Sequence, residues 1–219
     1  MFLKEKELIF VGRSNSGKSS LINSIFNEKK VAHVAKRTGT TANLHFHHIK
    51  NANALVVDAP GYGFAKMNLR RRAMWFSTTE EYIKISSRLS QIFLCINFEH
   101  GLKQTDIDFL HRIHKNNVDI QVIFTKVDKV HEKRFFPQLV AIDDAIRRLE
   151  LKNINRRLIA CSTKTGFGIN VLQCRVVEAI EQSKQRNIDQ KEDLLLDYLK
   201  ELRVSPVKEP HFRHKSLSK

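Results

Sequence analysis

Residues 12–19, GRSNSGKS, have the residue types and the spacing needed to hold a phosphate group. They match the phosphate-loop pattern GxxxxGK[ST] in full, after a predicted strand and at the start of a predicted helix. Glycines let the backbone curl around an anion, so that successive N–H groups and the helix N-terminus face it. Lys18 is expected to neutralise the β- and γ-phosphates, and the Ser19 hydroxyl to bind Mg²⁺. The predicted contacts are Asn15, Ser16, Gly17, Lys18, Ser19 and Ser20.

A second segment indicates which base the nucleotide carries. Residues 125–128, TKVD, follow the apolar run 120–124, where a ligand-binding loop belongs in an open α/β sheet. The Asp128 carboxylate can accept hydrogen bonds from guanine N1–H and the exocyclic amine, whereas adenine would leave it desolvated and unpaired. The stem of Lys126 can lie over the base, and residues 162–164 can present backbone N–H groups to guanine O6. GTP or GDP is the predicted ligand, contacted by Thr125, Lys126, Asp128, Ser162, Thr163 and Lys164.

The residues between these two motifs could sense the γ-phosphate. Asp58 ends an apolar run and suits a water-mediated contact with Mg²⁺, and the Gly61 N–H suits the γ-phosphate. The polar residues Gly39, Thr40 and Thr41 could close over Mg²⁺ in the GTP state, with Thr41 favoured over Thr40 as the ligand. Such segments order around the γ-phosphate and relax after hydrolysis, which makes a switch. The predicted metal ligands are Ser19, Thr41 and Asp58.

These residues need a scaffold in which strands alternate with helices. Near-continuous apolar runs fit strands buried on both faces, as in parallel sheets covered by helices. The predicted strands are 8–11, 45–49, 54–57, 92–96, 120–124 and 158–161, with 45–49 as an antiparallel edge. The predicted helices are 17–26, 70–88, 104–114, 136–150 and 169–183. The alternation predicts a three-layer α/β fold with a mostly parallel, six-stranded sheet and helices on both faces.

The chain length of 219 residues fits one such domain with short extensions. We expect residues 1–183 to form the domain, and residues 184–219 to form a polar helix and a basic, flexible tail. Within the second part, Leu195, Tyr198, Leu199 and Leu202 recur at i, i+3, i+4 and i+7, which is the spacing of one helix face.

The chain is strongly basic, with 38 Lys and Arg against 23 Asp and Glu and a net charge of +15. Such a charge attracts polyanions, of which RNA and an acidic membrane surface are the obvious ones, although general solubility would also account for it. Lys66 and the run Arg70-Arg71-Arg72 could bind RNA phosphate or form a solvated helix face. We expect a monomer with no DNA partner.

The cysteines and the apolar runs indicate the compartment. Cys95, Cys161 and Cys174 have no paired spacing, and the first two lie in apolar runs, which indicates buried thiols in a reducing compartment. No apolar run approaches the roughly 20 residues that span a bilayer, and the charged first residues do not resemble a signal peptide. We expect a soluble protein, cytoplasmic in a bacterium or located in a mitochondrion or other organelle in a eukaryote.

Three histidines near the second predicted strand could suggest a metal site. His45 and His47 share one face of that strand, while His48 points away. Because no cysteine or carboxylate is nearby in the sequence, a solvated strand is the favoured interpretation.

The chain resembles the EngB (YihA/YsxC) family of GTPases, within the wider Era/Obg-like group. The resemblance extends over about residues 8–180 and depends on residues 12–15, 17–23, 58–65, 100–102, 105–106 and 125–129. Its most specific parts are the GRSN form of the phosphate loop and the run PGYGFA at 60–65. The resemblance implies a P-loop GTPase (Ras-like) fold and GTP hydrolysis with Mg²⁺. It also implies assembly of the large ribosomal subunit, with rRNA as a partner, in bacteria or in organelles of bacterial descent.

The sequence departs from the family pattern at three places. Ser16 stands where the family usually has Val. Residues 38–41, TGTT, replace the usual Pro-Gly-Arg-Thr, which supports Thr41 as the switch threonine. Asn97 and Glu99 replace the usual Asp and Arg, so the role of that pair is not carried over.

The resemblance also bears on the rate of hydrolysis. Tyr62 follows Gly61, where Ras-like proteins have a catalytic glutamine, so no catalytic residue is assigned. We expect slow intrinsic hydrolysis that depends on a partner or on an added cation. Asn15 resembles the asparagine that holds K⁺ in relatives with K⁺-stimulated hydrolysis, so K⁺ is a candidate second cation.

Two other functions fit parts of the same pattern. A GTP-binding scaffold or RNA-binding protein that does not hydrolyse GTP would show no multiple turnover with ribosomal particles. A small-molecule kinase using ATP is disfavoured by Asp128, and a comparison of GTP and ATP binding separates it from the leading hypothesis.

Overall fold

A seven-stranded sheet forms the centre of the fold in the computed structural model, which describes residues 5–26, 31–34, 44–49, 52–62 and 78–181. The strands are β1 (Lys6–Gly12), β2 (Val31–Val34), β3 (His45–Ile49), β4 (Ala54–Asp58), β5 (Leu89–Asn97), β6 (Asp119–Thr125) and β7 (Ile154–Ala160). They lie in the order β2-β3-β4-β1-β5-β6-β7. Neighbours from β4 to β7 are parallel, and β3 is antiparallel to β2 and β4. The predicted α/β fold with a mostly parallel sheet is confirmed.

The described residues contain one strand more than the six predicted, all of which are present. The additional strand, β2, pairs with β3 so that Val31 lies opposite Ile49 and Val34 opposite Phe46. The prediction that β3 forms the edge of the sheet was therefore wrong. A four-residue strand is too short to show a reliable alternation, and what defines it here is its pairing with a segment further along the chain.

Five α-helices lie in the described residues: α1 (Lys18–Phe26), α2 (78–85), α3 (Gln104–Ile113), α4 (Glu132–Arg147) and α5 (169–181). Each matches a predicted helix, although residues 70–77 of the second prediction lie outside the described residues. The start of α4 was predicted too late, because the His131 ring accepts a hydrogen bond from the Lys133 N–H at 3.3 Å and caps the helix at Glu132. Its end was also predicted too late, since Glu150 has a φ of 54° and cannot continue a helix.

The core lies on both faces of the sheet, as the apolar strands predicted. Successive residues of β1 point to opposite sides, so Ile9 and Val11 pack in a cluster with Phe109 of α3. Leu8 and Phe10 pack on the other side, in a cluster with Leu21 of α1 and Leu172 of α5. These two layers hold the central strands in place and leave the strand ends free to carry the loops.

The two apolar-run cysteines, Cys95 and Cys161, are buried and free, as predicted, and Cys174 is free and exposed. Burial raises the pKa of the Cys95 thiol to about 12, so it stays protonated at neutral pH. No helix in the described ranges is long and apolar enough to cross a membrane.

The histidines of β3 form no metal site within the described residues, where no group of three or more His, Cys, Asp or Glu could hold an ion. His48 lies 2.9 Å from a carboxylate oxygen of Glu5. Glu5 is distant from His48 in the sequence, and folding brings its carboxylate beside the imidazole.

Candidate nucleotide-binding site

The residues predicted to bind nucleotide meet at one edge of the sheet. The phosphate loop leaves the end of β1, Asp58 is the last residue of β4, and Thr125 is the last residue of β6. Ser162 follows the end of β7. Because β4, β1, β5, β6 and β7 are parallel, their carboxyl ends share one edge, which is where open α/β sheets bind ligands.

The phosphate loop is held in shape by its glycine and by a tight turn. The Ser16 N–H donates to the Arg13 carbonyl oxygen at 3.0 Å, and Asn15 has a φ of 62°. A Cβ atom at Gly12 would lie 2.3 Å from the Cys95 carbonyl oxygen and 2.9 Å from Ser16 Oγ. Only glycine therefore allows the loop to turn this close to the end of β5.

Lys18 folds its side chain back over the loop. Its Nζ donates to the carbonyl oxygens of Gly12 and Arg13, both at 3.2 Å, and the residue is only 7% exposed. Burial lowers the pKa of Lys18, with Cys95 and Asp58 acting in the opposite direction. The ammonium group is thus fixed and partly desolvated. In such an environment its attraction to a phosphate group is stronger than in water.

Ser19 and Asp58 form a direct contact across the start of α1. Ser19 Oγ donates to Asp58 Oδ2 at 2.6 Å, while Asp58 Oδ1 is buried without a hydrogen-bond partner in the described part of the chain. Hydroxyl and carboxylate oxygens are the ligands that Mg²⁺ prefers. A buried carboxylate oxygen without a partner is costly unless a donor or a cation satisfies it. These two residues therefore fit the predicted ion.

The segment 125–128, which was predicted to recognise guanine, contacts the phosphate loop through two side chains. Thr125 Oγ1 donates to the Ser16 carbonyl oxygen at 2.5 Å, and Lys126 Nζ donates to the Asn15 carbonyl oxygen at 2.7 Å. Lys126 itself has a φ of 58°, which turns the chain toward the loop. The sequence predicted only a role for the Lys126 stem against the base, and its terminal amine has a further contact with the loop.

Asp128 is held by a residue whose side chain was given no role in the sequence analysis. The Ser162 hydroxyl donates to Asp128 Oδ1 at 2.6 Å and also accepts from the Thr165 N–H at 3.2 Å. Ser162 is buried, whereas Asp128 is exposed and accessible to a ligand. The predicted contribution of Ser162 was a backbone N–H, and its hydroxyl in addition fixes the carboxylate that would contact guanine.

Replacing Ser162 with alanine is expected to lower GDP affinity about fivefold, since one hydrogen bond that orients Asp128 is removed and the carboxylate gains rotational freedom. Displacement of a fluorescent GDP derivative measures this change. Ser90→Ala is the matched control, because Ser90 Oγ donates to a carbonyl oxygen at the opposite end of β1. An unchanged affinity in Ser162→Ala would show that Asp128 is oriented without the hydroxyl.

Gly61 and Tyr62 lie directly on the phosphate loop. The Ser14 N–H donates to the Tyr62 carbonyl oxygen at 2.8 Å, and the Tyr62 N–H donates to the Gly12 carbonyl oxygen at 3.2 Å. A Cβ atom at Gly61 would lie 2.5 Å from Ser14 Cα, so this close approach requires glycine. The Tyr62 side chain turns into the core and is 1% exposed.

The remaining predicted contacts are only partly described. Ser20 is exposed in the first turn of α1, Gly17 lies just before that helix, and Thr163 and Lys164 are exposed after β7. The predicted switch residues Gly39, Thr40 and Thr41 lie outside the described residues. The same holds for Lys66 and the run Arg70-Arg71-Arg72, and for residues 184–219. The predicted domain boundary stays a prediction.

Sequence reasoning missed Arg13 and Asp106. Arg13 Nε lies 3.3 Å from Asp106 Oδ2, and Asp106 occupies the third position of α3, where its side chain accepts from the Lys103 N–H at 2.9 Å. Both residues lie in segments that carry the family resemblance, which was the available signal, although it did not indicate that the two side chains contact each other. Asn97, one of the departures from the family pattern, caps the short turn at residues 98–100 by accepting from the Glu99 N–H at 3.0 Å.

The fold, the phosphate loop and the segment 125–128 at the same edge of the sheet are those of a P-loop GTP-binding protein. Residues 7–126 match the protein family described as 50S ribosome-binding GTPase. The chain is 32% identical over 177 residues to an EngB GTP-binding protein of Rhodopseudomonas palustris, covering 80% of this chain and 81% of the relative. It is 36% identical over 164 residues to the EngB protein of Acholeplasma laidlawii, covering 75% and 82%. The chain belongs to the EngB family of GTP-binding proteins.

Solved structures agree with this fold. A crystal structure of an EngB GTP-binding protein superposes with a TM-score of 0.60 at 22% identity, over 80% of this chain and 99% of that chain. Aquifex aeolicus Era bound to GDP and AlF₄⁻ superposes with a TM-score of 0.57 at 22% identity, over 81% of this chain and 57% of that chain. The P-loop GTPase fold predicted from the sequence is therefore confirmed.

Proposed function

We propose that this chain is a Mg²⁺-dependent GTP switch that hydrolyses GTP slowly and assists assembly of the large ribosomal subunit. The observation that carries the proposal is the 2.6 Å contact between Ser19 Oγ and Asp58, which joins the phosphate loop to the end of β4 and leaves Asp58 Oδ1 unpaired within the described residues. With the Asp128 carboxylate held by Ser162, the same edge of the sheet offers one group for a metal ion and another for guanine.

Each part of the site has a separate binding role. The loop N–H groups and Lys18 hold the phosphates, and Asp128 accepts from the base. Ser19 and Asp58, with Thr41, hold Mg²⁺, which when bound neutralises charge on the β- and γ-phosphates. Asn15 remains the candidate residue for K⁺.

Slow intrinsic hydrolysis is supported by the orientation of Tyr62. Its hydroxyl donates to Asp106 at 2.8 Å inside the core, so the residue after Gly61 does not orient an attacking water. Acceleration is then expected from a partner or from K⁺. A scaffold that never hydrolyses GTP is the second candidate, and this same orientation favours it, so multiple turnover with ribosomal particles decides between the two.

A basic surface on α4 and β7 supports an RNA partner. We call it the α4–β7 surface, and its exposed basic members are Arg147, Arg148, Lys152, Arg156 and Arg157. Arg147 is paired with Asp143 at 2.6 Å, so the arginines of β7 are the stronger candidates for phosphate contact. The pairing of β6 and β7 is irregular, passing from Gln121–Asn155 to Ile123–Ile159. Gln121 Nε2 donates to the Arg157 carbonyl oxygen, and Asn155 Oδ1 accepts from the Arg157 N–H at 2.9 Å, which stabilises this bulge. The bulge leaves two adjacent arginines exposed on the edge strand, available to phosphate groups.

Binding to purified large ribosomal subunits is expected to weaken steeply with KCl, since phosphate contacts release counterions. Arg156→Glu with Arg157→Glu should weaken sedimentation in a non-hydrolysable GTP analogue and reduce the log–log salt slope by about one for each arginine–phosphate pair removed. A second variant, in which Arg70, Arg71 and Arg72 are all replaced by Glu, tests the run predicted from the sequence in the same assay. GTP affinity should stay nearly unchanged in both.

The control is Lys84→Glu with Lys115→Glu, which changes the charge by the same amount as the Arg156 and Arg157 reversal, at exposed positions on α2 and after α3. If all variants bind equally and have the same log–log salt slope, the RNA-binding surface lies elsewhere on the protein. A wild-type protein that sediments with large subunits in no nucleotide state would refute the ribosomal role and leave the GTP-binding role standing.

The compartment proposed is a reducing one, either bacterial cytoplasm or an organelle of bacterial descent. The buried free thiols of Cys95 and Cys161 and the bacterial relatives support it.

A further inference from the structure

Three side chains from separate segments meet beneath the phosphate loop. Arg13 belongs to the loop, Tyr62 follows Gly61, and Asp106 lies in the first turn of α3. Tyr62 Oη donates to Asp106 Oδ1 at 2.8 Å, and Arg13 Nε lies 3.3 Å from Asp106 Oδ2. Arg13 also donates to the Gly101 carbonyl oxygen at 3.0 Å. We call these three residues the Tyr62 anchor.

The Asp106 carboxylate is the centre of the Tyr62 anchor. It is 0% exposed, and burial raises its pKa, while hydrogen bonds from the Lys103 N–H and Tyr62 act in the opposite direction. A buried carboxylate is tolerated when charged and polar donors surround it, and removing one of its partners is strongly unfavourable. The position of Tyr62 is therefore firmly determined from the core side.

The backbone holds the same segment from the other side. Tyr62 exchanges two hydrogen bonds with the loop, through Gly12 and Ser14, and Ser14 Oγ donates to the Gly61 carbonyl oxygen at 3.0 Å. Gly61 is thus placed against the loop by contacts on both sides of the chain. Its backbone N–H is the group proposed to bind the γ-phosphate, so any change in the position of Tyr62 moves that donor.

We propose that Asp106 and Arg13 are positioning residues that act through Tyr62 to hold the Gly61 N–H beside the γ-phosphate and so set the preference for GTP over GDP. The inference rests on the proposed function, because only a GTP-bound state would use this donor. GDP lacks the γ-phosphate, so the anchor adds binding free energy to the GTP complex alone. The preference for GTP is the ratio of the affinities for GTP and GDP, and in this proposal that ratio depends on the prepositioned Gly61 N–H.

The chain contains a matched control for this contact. Tyr82 Oη donates to the buried Glu7 carboxylate at 2.6 Å, and Glu7 also receives Ser86 Oγ and Arg88. This second tyrosine–carboxylate pair has the same chemistry at the opposite end of β1, about 17 Å from the start of the loop at the usual rise per strand residue. Removal of its hydroxyl takes away a comparable buried hydrogen bond without touching the phosphate loop.

The test is equilibrium binding of fluorescent GDP and of a fluorescent non-hydrolysable GTP analogue to the full chain with Mg²⁺. Tyr62→Phe and Asp106→Asn are expected to weaken binding of the GTP analogue about tenfold and to leave GDP affinity within about twofold. Tyr82→Phe is expected to leave the ratio of the two affinities unchanged. The melting temperature of each variant is measured as well, since both tyrosine variants lack a buried hydrogen bond and should be destabilised similarly.

Equal weakening of both nucleotides in Tyr62→Phe, or the same change of ratio in Tyr82→Phe, would overturn the inference. If Tyr62→Phe does not fold, Asp106→Asn decides, because it keeps the volume of the side chain. Its amide oxygen would face the Lys103 N–H and Arg13, which leaves an NH₂ group in place of the acceptor that Tyr62 uses. A wild-type protein that binds neither nucleotide would instead refute the proposed function, which distinguishes the two failures.

Discussion

Asp128→Asn is expected to lower GTP affinity by about a thousandfold and to shift the preference of the site to XTP. The Ser162 hydroxyl donates to one oxygen of Asp128 at 2.6 Å. In the variant, the same hydroxyl would keep the amide oxygen and leave the amide NH₂ facing the guanine amine, donor against donor. Xanthine has a carbonyl oxygen at that position, which the NH₂ can bind. A site built to hydrogen-bond a ligand group rejects an analogue that lacks it by several orders of magnitude.

Competition of GTP, XTP and ATP against a fluorescent guanine nucleotide measures this change. Asp144→Asn is the control, because Asp144 is an exposed aspartate on α4 and the chemical change is identical. If Asp128→Asn still prefers GTP to XTP by the wild-type margin, Asp128 does not recognise the base, and the assignment of guanine would lose its basis in this chain.

Lys18→Ala and Ser19→Ala are expected to impair nucleotide binding strongly and by different routes. Removing Lys18 takes away a buried cation that would pair with phosphate, which should cost about a hundredfold or more in affinity at every Mg²⁺ concentration. Removing the Ser19 hydroxyl should shift the apparent Mg²⁺ affinity, because Ser19 and Asp58 are proposed to share the ion. Nucleotide affinity titrated against Mg²⁺ separates the two effects.

Ser24→Ala in the same helix and Lys84→Ala on α2 are the controls for these variants. The same Mg²⁺ dependence in Lys18→Ala and Ser19→Ala would contradict the roles assigned to them. Ser19→Ala also lacks the 2.6 Å hydrogen bond to Asp58, so its melting temperature without nucleotide has to be compared with that of the wild type.

The strands and the motifs that follow them could be predicted because their signals are local. The apolar runs in β1, β5 and β6 are buried on both faces. A strand that is buried on both faces has a continuous apolar run in its sequence, so it can be recognised there. The phosphate loop is one uninterrupted segment whose backbone geometry depends on its own glycines. Its residues and the end of β6 were predicted together because parallel strands bring their carboxyl ends to one edge.

Elements defined by distant contacts could not be predicted in the same way. The edge strand β2 exists through its pairing with β3, and the α4–β7 surface depends on a bulge stabilised by Gln121 and Asn155. Neither leaves a periodic pattern in the sequence. The start of α4 was missed since its cap is a histidine, a residue type with little capping preference.

By itself the sequence predicted the class of ligand, the strands that carry the site and the family. The tertiary structure decided which side chains support that site. Ser162 reaches Asp128 from 34 residues away, and Tyr62 reaches Asp106 across 44 residues. A motif can be recognised in the sequence when one short segment must adopt one backbone conformation. A buried hydroxyl–carboxylate contact becomes visible only when folding has brought its two partners to the same place and removed the water between them.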